Sequence, residues 1–284
     1  MKRLKLSAIR KFSYCPRWYY IQYILGFNPK SPVKSKFPIF DAIRGCVVKG
    51  SDEGYRDRIA GLMVGEESKE EDAPFHEMVS RGELLLKQAL DWRKSLDEII
   101  WAEQLIEYKV EISDEMSLPV VGYPDILAKH QGKTKLFNFR MGYTAYGERE
   151  IYGDMLELYV YKKGLEKHLK IEIDEVIVLG MILRNRKERN SKRATTPVTE
   201  IQEHVLGFEE GFGDVVDTTL LGVAGAIEAE AFPALGLQTG VCSWCPNRAS
   251  IHGQRFCFFS DEILRKFAQS SLQRASIDKW RDDF

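Results

Sequence analysis

The sequence predicts an α/β protein in which a group of consecutive strands is followed by a helix and then by one long apolar strand. Three observations predict it. Over 76–97, Met78, Leu84, Leu85, Ala89, Leu90 and Trp92 recur at helical spacing. Strand-like runs follow at 104–112, 119–129 and 134–141, the first two joined by the turn Ser113-Asp114-Glu115-Met116. The run richest in Val and Ile, Glu175 to Leu183, comes after a helical stretch from about 149 to 168. An order of helix, three-strand meander, helix and strand belongs to a layered α/β core rather than to a bundle or a sandwich.

The flanking elements follow from caps and breakers. Ser7 is a candidate N-cap for a helix from Ala8 to Tyr14, and Pro16 suits the first turn of a second helical segment reaching about Leu25. Residues 28–38, with Pro29, Pro32 and Pro38 among lysines, read as a loop. A helix is expected from Asp41, then a break at Gly65 to Asp72. A small-residue helix around Leu220 to Ala231 and a charged helix over 261–284 complete the chain. With 284 residues and 44% hydrophobic content, residues 1–284 are expected to form one domain. A net charge of −1 leaves nucleic-acid binding to local patches. No apolar run approaches a membrane span, and Met1-Lys2-Arg3-Leu4-Lys5-Leu6 is soon broken by Ser7, Arg10 and Lys11, so neither a membrane segment nor a signal peptide is expected. The expected location is cytoplasmic, where thiols stay reduced.

Four of the five cysteines suit one soft metal. Cys15 stands near the start, and Cys242, Cys245 and Cys257 stand near the end. Four thiolates complete a tetrahedral set and prefer an Fe–S cluster or Zn to a hard cation. In Gly240-Val241-Cys242-Ser243-Trp244-Cys245-Pro246, a CxxC turn followed by Pro puts two sulfurs on one side of a tight loop. For zinc, His252 is a substitute ligand. Cys46 reads as a small buried hydrophobe.

Two segments have the composition of a nucleic-acid contact. Arg184-Asn185-Arg186-Lys187-Glu188-Arg189-Asn190-Ser191-Lys192-Arg193 carries six basic residues and one acid, with Arg186, Lys187, Arg189, Lys192 and Arg193 as candidate phosphate contacts. Tyr14, Trp18, Tyr19, Tyr20 and Tyr23, beside Lys11 and Arg17, could stack on single-stranded bases, although aromatic residues at helical spacing more commonly form a core.

Taken together, Leu6-Ser7-Ala8-Ile9-Arg10-Lys11-Phe12-Ser13-Tyr14-Cys15-Pro16-Arg17-Trp18-Tyr19-Tyr20, the strand Val120-Val121-Gly122-Tyr123-Pro124-Asp125-Ile126-Leu127 and the terminal cysteines resemble the RecB-like branch of the PD-(D/E)XK nuclease superfamily, which includes CRISPR-associated iron–sulfur exonucleases. The resemblance spans roughly residues 6 to 260. It implies a mixed sheet flanked by helices, and a lobe of residues 1–30 and 235–260 in which Cys15, Cys242, Cys245 and Cys257 hold a [4Fe-4S] cluster, with Zn as the alternative. It also implies a cleft facing DNA, single strands included, and partner proteins of a DNA-processing complex.

The family cleaves phosphodiesters with one or two divalent ions, Mg or Mn, held by carboxylates. Here the motif positions are largely degenerate. Lys49 stands where Gly-x-x-x-His would place His after Gly45, and Asp125 is kept. Asn138 replaces an acid and Arg140 replaces Lys in the paired strand, while Met155 stands for Gln and Tyr159 is kept in the helix. Asn138 removes a formal charge that a hard dication needs, and a guanidinium is not interchangeable with an ammonium. The resemblance therefore implies a DNA-binding or assembly role in recombination, repair or processing, with cleavage lost or strongly reduced. Two alternatives stay open. One is an active metal-dependent DNA exonuclease whose site is rebuilt from Glu107, Glu111, Asp154 or Glu157, and the other is a structural subunit that binds protein.

Overall fold

Pro124 divides a stretch expected to be one strand. A computed structural model describes residues 3–25, 37–57, 59, 73–113, 116–142, 148–187, 195–233, 250–251 and 254–255. In it, 119–129 is two strands, because Pro124 has no N–H for a ladder and restricts Tyr123 before it. The first, β4 (Met116–Gly122), pairs in a three-stranded sheet of order β1-β4-β3 with β1 (Leu4–Lys5) and β3 (Ile106–Ser113). The second, β5 (Ile126–His130), lies in a five-stranded sheet of order β2-β5-β6-β7-β8. The expected meander is thus shared between two sheets. The other members of the larger sheet are β2 (Glu98–Ala102), β6 (Lys133–Gly142), β7 (Glu175–Lys187) and β8 (Thr195–Leu206).

The chain divides into two units, one of Met1–Lys34, Glu107–Gly122 and Glu210–Phe284, the other of Ser35–Ile106 and Tyr123–Glu209. The second unit carries the larger sheet and is α/β. Its sheet is mixed: β2/β5, β5/β6 and β7/β8 are antiparallel, and β6/β7 is parallel. Parallel neighbours need a crossover, which here contains α5 (Glu148–Leu169). One face of the sheet packs on α3 (Phe37–Lys49) and α4 (Ala73–Lys94), where Ile43, Cys46, Val47, Leu85 and Ala89 meet Phe137, Phe139, Ile177 and Leu179. Cys46 is buried in that core, as its sequence context suggests. Strand alternation turns Asn138 and Arg140 to the opposite face, toward α5. On α5, Asp154, Leu158, Tyr161 and Leu165 are buried at i, i+4, i+7 and i+11, which makes one inward stripe.

A tight approach at Gly82 sets the spacing of α4. A Cβ there would overlap the Tyr55 hydroxyl and stand 2.9 Å from Ile39 Cγ2, and that hydroxyl donates to the Val79 carbonyl at 3.3 Å. Gly82→Ala is expected to cost about 1 to 3 kcal/mol through overpacking, more than the gain of about 1 kcal/mol in helix propensity. The check is urea unfolding, in which the midpoint should fall with an unchanged slope.

In the first unit, α1 (Leu6–Tyr14) starts one residue before Ser7, with Lys5 as an N-cap that makes no side-chain cap bond. The helix begins there because β1, paired to β4, ends at Lys5. After Cys15 come α2 (Pro16–Tyr19) and a π-helical turn, Tyr20–Ile24. Trp18, Tyr19 and Tyr20 are buried, so they belong to the core of this unit and do not offer faces to nucleic-acid bases. Phe232 stacks on Tyr20 at 4.9 Å between centroids, and the Arg17 N–H donates to the Pro233 carbonyl at 3.1 Å. The expected small-residue helix is α6 (Phe212–Glu228), joined to β3 by the Tyr108 hydroxyl, which donates to Asp217 Oδ1 at 2.8 Å. Strands β9 (Ser250–Ile251) and β10 (Gln254–Arg255) form a short antiparallel pair. Among the described residues, no helix is long and apolar enough to cross a membrane.

A buried ion-pair network at the candidate active site

The site forms where β5 begins. Its ladder with β6 starts at Ile126↔Phe137, and the chain before it leaves the sheet at Pro124. The Phe139 N–H, two residues further along β6, finds its acceptor in a side chain: it donates to Asp125 Oδ2 at 2.6 Å. That bond fixes Asp125, which is 1% exposed. Arg44 of α3 donates from Nε to Asp125 Oδ1 at 2.5 Å. With the Asn138 amide oriented to satisfy both its ends, its nitrogen donates to Asp125 Oδ2 at 2.7 Å, and its oxygen accepts from Arg140 Nη1 and Nη2 at 3.1 and 3.0 Å.

Arg140 continues the network into α5. Its Nε donates to Asp154 Oδ2 at 2.6 Å, its Nη2 to Glu157 Oε2 at 3.1 Å and its Nη1 to the Phe139 carbonyl at 3.2 Å. Glu157 Oε1 accepts from the Tyr161 hydroxyl at 2.8 Å. Among the described residues, three carboxylates, Asp125, Asp154 and Glu157, thus face two guanidinium groups. Such a forked, planar cation can satisfy several acceptors at once, which an ammonium in the same place cannot.

Burial pushes the Asp125 carboxyl above its usual range, and the charge of Arg44, the Phe139 amide and Arg140 pull it back. Burial alone would lower Arg44, but the charge and hydrogen bond of Asp125, with further help from Glu103, leave it above its ordinary value. The Tyr161 hydroxyl is held well above its ordinary range by burial, then by the charge and hydrogen bond of Glu157. It remains a donor at neutral pH.

The structure thus brings Asp125, Asn138 and Arg140 together, and adds Arg44 and Tyr161, which the motif comparison misses. Lys49, the last residue of α3, is exposed. Tyr159 packs its ring edge-on against Phe208 at 5.4 Å, off the stripe that carries Asp154 and Tyr161. Of the substitute acids, Asp154 and Glu157 are in the network. Glu107 and Glu111 are on β3 in the other unit, where Glu107 faces Arg3 at 3.5 Å and Lys109 at 3.8 Å. The basic run is partly strand: β7 continues through Lys187, which pairs with Thr195 of β8, so Arg186 and Lys187 lie in a hairpin arm. Arg189, Lys192 and Arg193 lie outside the described residues, as do Cys242, Cys245, Cys257 and His252. Cys15 is 6% exposed, in contact with Trp18, and precedes Pro16 as the N-cap of α2.

No protein-family model matches the chain, and no curated protein matches it. Among solved structures, a crystal structure of SSO0001 matches with a TM-score of 0.36 and 10% identity, over 81% of this chain and 91% of that one. A likeness that loose carries no argument about chemistry.

Proposed function

We propose that this chain is a PD-(D/E)XK-type protein that has lost its nuclease chemistry and that binds DNA or docks in a DNA-processing assembly. The observation that carries the reading is the position of Arg140. Its guanidinium lies against Asn138, Asp154 and Glu157, so the acids that could rebuild a metal site already share an internal cation. A hard dication needs several anionic oxygens free to turn toward it, and water activation depends on that ion. The residues present do not fit a catalytic Mg or Mn ion.

The cysteine set remains part of the proposal. Cys15, Cys242, Cys245 and Cys257 would hold a [4Fe-4S] cluster, or Zn, which would tie distant parts of the chain together. What supports a place for Cys15 in this set is its fixed position, buried beside Trp18 where α1 gives way to α2. DNA contact is assigned to the basic run 184–193, with Arg186, Lys187, Arg189, Lys192 and Arg193 tracking phosphates.

The test combines cleavage and binding on the full chain. Little or no degradation of single- or double-stranded DNA is expected with Mg or Mn. Binding is expected to be salt-dependent and sequence-blind, with a flatter salt slope once the five basic residues are neutralised together. Robust metal-dependent degradation that is abolished by Asp125→Ala would sink the inactive assignment. Salt-insensitive or absent DNA binding would leave a protein-binding subunit as the reading.

A further inference from the structure

Asp125 is the one carboxylate kept at a motif position, yet the cation facing it comes from outside the motif. Arg44 stands one residue before Gly45, on α3, and reaches Asp125 across 81 positions of sequence. Its side chain is 37% exposed, while that of Asp125 is 2% exposed, so Arg44 is the member of the pair that reaches solvent. The other Asp125 oxygen accepts from the Phe139 N–H and from the Asn138 amide. Both oxygens are therefore already engaged. Glu103 is also beside this pair: its charge raises Arg44 further, and its backbone N–H donates to the Asp125 carbonyl at 3.1 Å. Asp41, one turn earlier on α3, feels the Arg44 charge as well.

We propose that Arg44 is a built-in cation that closes Asp125 to divalent metals, so that restoring the motif residues does not restore a metal site while Arg44 stays. This deepens the reading of the site as a degenerate nuclease centre and rests on it. Asn138→Asp would set a second carboxylate beside Asp125, and Arg140→Lys would return the motif cation. An entering dication would still meet the Arg44 guanidinium at Asp125 Oδ1. Like charges at contact distance repel, and a guanidinium cannot give up its proton to relieve this. Substituting Arg44 removes that charge.

The experiment measures Mn2+ binding by calorimetry and by the loss of the free-ion electron paramagnetic resonance signal, on the full chain, with circular dichroism to establish folding. The Asn138→Asp/Arg140→Lys protein is expected to bind Mn2+ poorly. Adding Arg44→Gln is expected to tighten binding by about tenfold or more, the size of effect that removing one like charge from a partly buried site produces. Adding Arg44→Lys instead keeps the charge and should leave the site closed. Equal affinities with and without Arg44→Gln would overturn the proposal, as would a Lys variant that opens the site as Gln does. These readouts concern variants and are separate from cleavage by the natural protein, which tests the inactive assignment.

If the triple variant does not fold, Arg44→Gln alone keeps the question open to test. Asp125 lies among Arg44, Arg140, Glu103, Asp154, Glu157 and Tyr161. Mn2+ binding by the folded Arg44→Gln protein is then compared with that of the natural protein, and removing the guanidinium at Asp125 Oδ1 is expected to tighten it. Equal affinities in the two folded proteins would overturn the proposal.

Discussion

Replacing Arg140 by alanine is expected to destabilise the sheet-bearing unit by about 3 to 5 kcal/mol, the cost of breaking a buried ion pair from one side. Arg140 is 18% exposed at its side chain and bonds Asp154, which is fully buried, and Glu157, which is 18% exposed. Its loss takes away the cation that those two acids share, and strips the Asn138 oxygen and the Phe139 carbonyl of a donor. A domain with a total stability of about 5 to 15 kcal/mol cannot lose that much unnoticed. Arg140→Lys should cost less, since it keeps the charge, yet it cannot fork to both carboxylates and the amide together. Arg140→Met combined with Asp154→Leu and Glu157→Gln should recover much of the loss, because it removes the stranded charges as well as the cation. Urea unfolding of the three proteins is the measurement. A change within about 0.5 kcal/mol for Arg140→Ala, the range of an ordinary surface substitution, would show that the network is not held as described.

The parts of this fold that were legible in the sequence are those whose periodicity is local. Helix α5 and strand β7 are read to within a few residues because inward apolar positions repeat every turn in one and nearly every residue from Val176 to Leu183 is apolar in the other. Strand β8 escapes such a reading: it is an edge strand carrying Pro197, Glu200 and Glu203, the residue types that blunt an edge and also make it look like loop. Strand β2 follows α4 closely enough to read as its tail. In the site, Asp125, Asn138 and Arg140 could be found by pattern because Asp125 directly precedes β5 and the other two alternate on β6, which pairs with it. Arg44 could not, since its contact with Asp125 depends on how α3 packs on the sheet. Tyr161 carried a usable signal. It lies seven residues after Asp154, on the same side of α5, whereas Tyr159, five residues after it, is turned by about 140° at 100° per residue.

Changing Cys15 to alanine or serine separates a metal-ligand role from simple packing, and it carries the other large expected effect. Cys15 is buried beside Trp18, between α1 and α2, so even as a plain core residue its loss to alanine should cost roughly 0.5 to 1.5 kcal/mol, comparable to deleting one methyl-sized group. As a ligand it should cost far more, because the free energy of metal binding is then part of the free energy of folding. The segment beyond α6 supports the second outcome through its anchoring, with Phe232 stacked on Tyr19 and Tyr20 and the Pro233 carbonyl bonded to Arg17, two residues from Cys15. Cys242 follows Pro233 by nine residues, which at full extension span up to about 30 Å, enough to return a CxxC pair toward Cys15. Protein purified without oxygen should be brown, with about four iron atoms per chain for a [4Fe-4S] cluster, and both Cys15 variants should lose iron and melt well below the natural protein. Colourless protein with one zinc would replace the cluster by Zn and leave the four-ligand set standing. Full metal content in Cys15→Ala, with a melting point lowered only by the packing term, would remove Cys15 from that set.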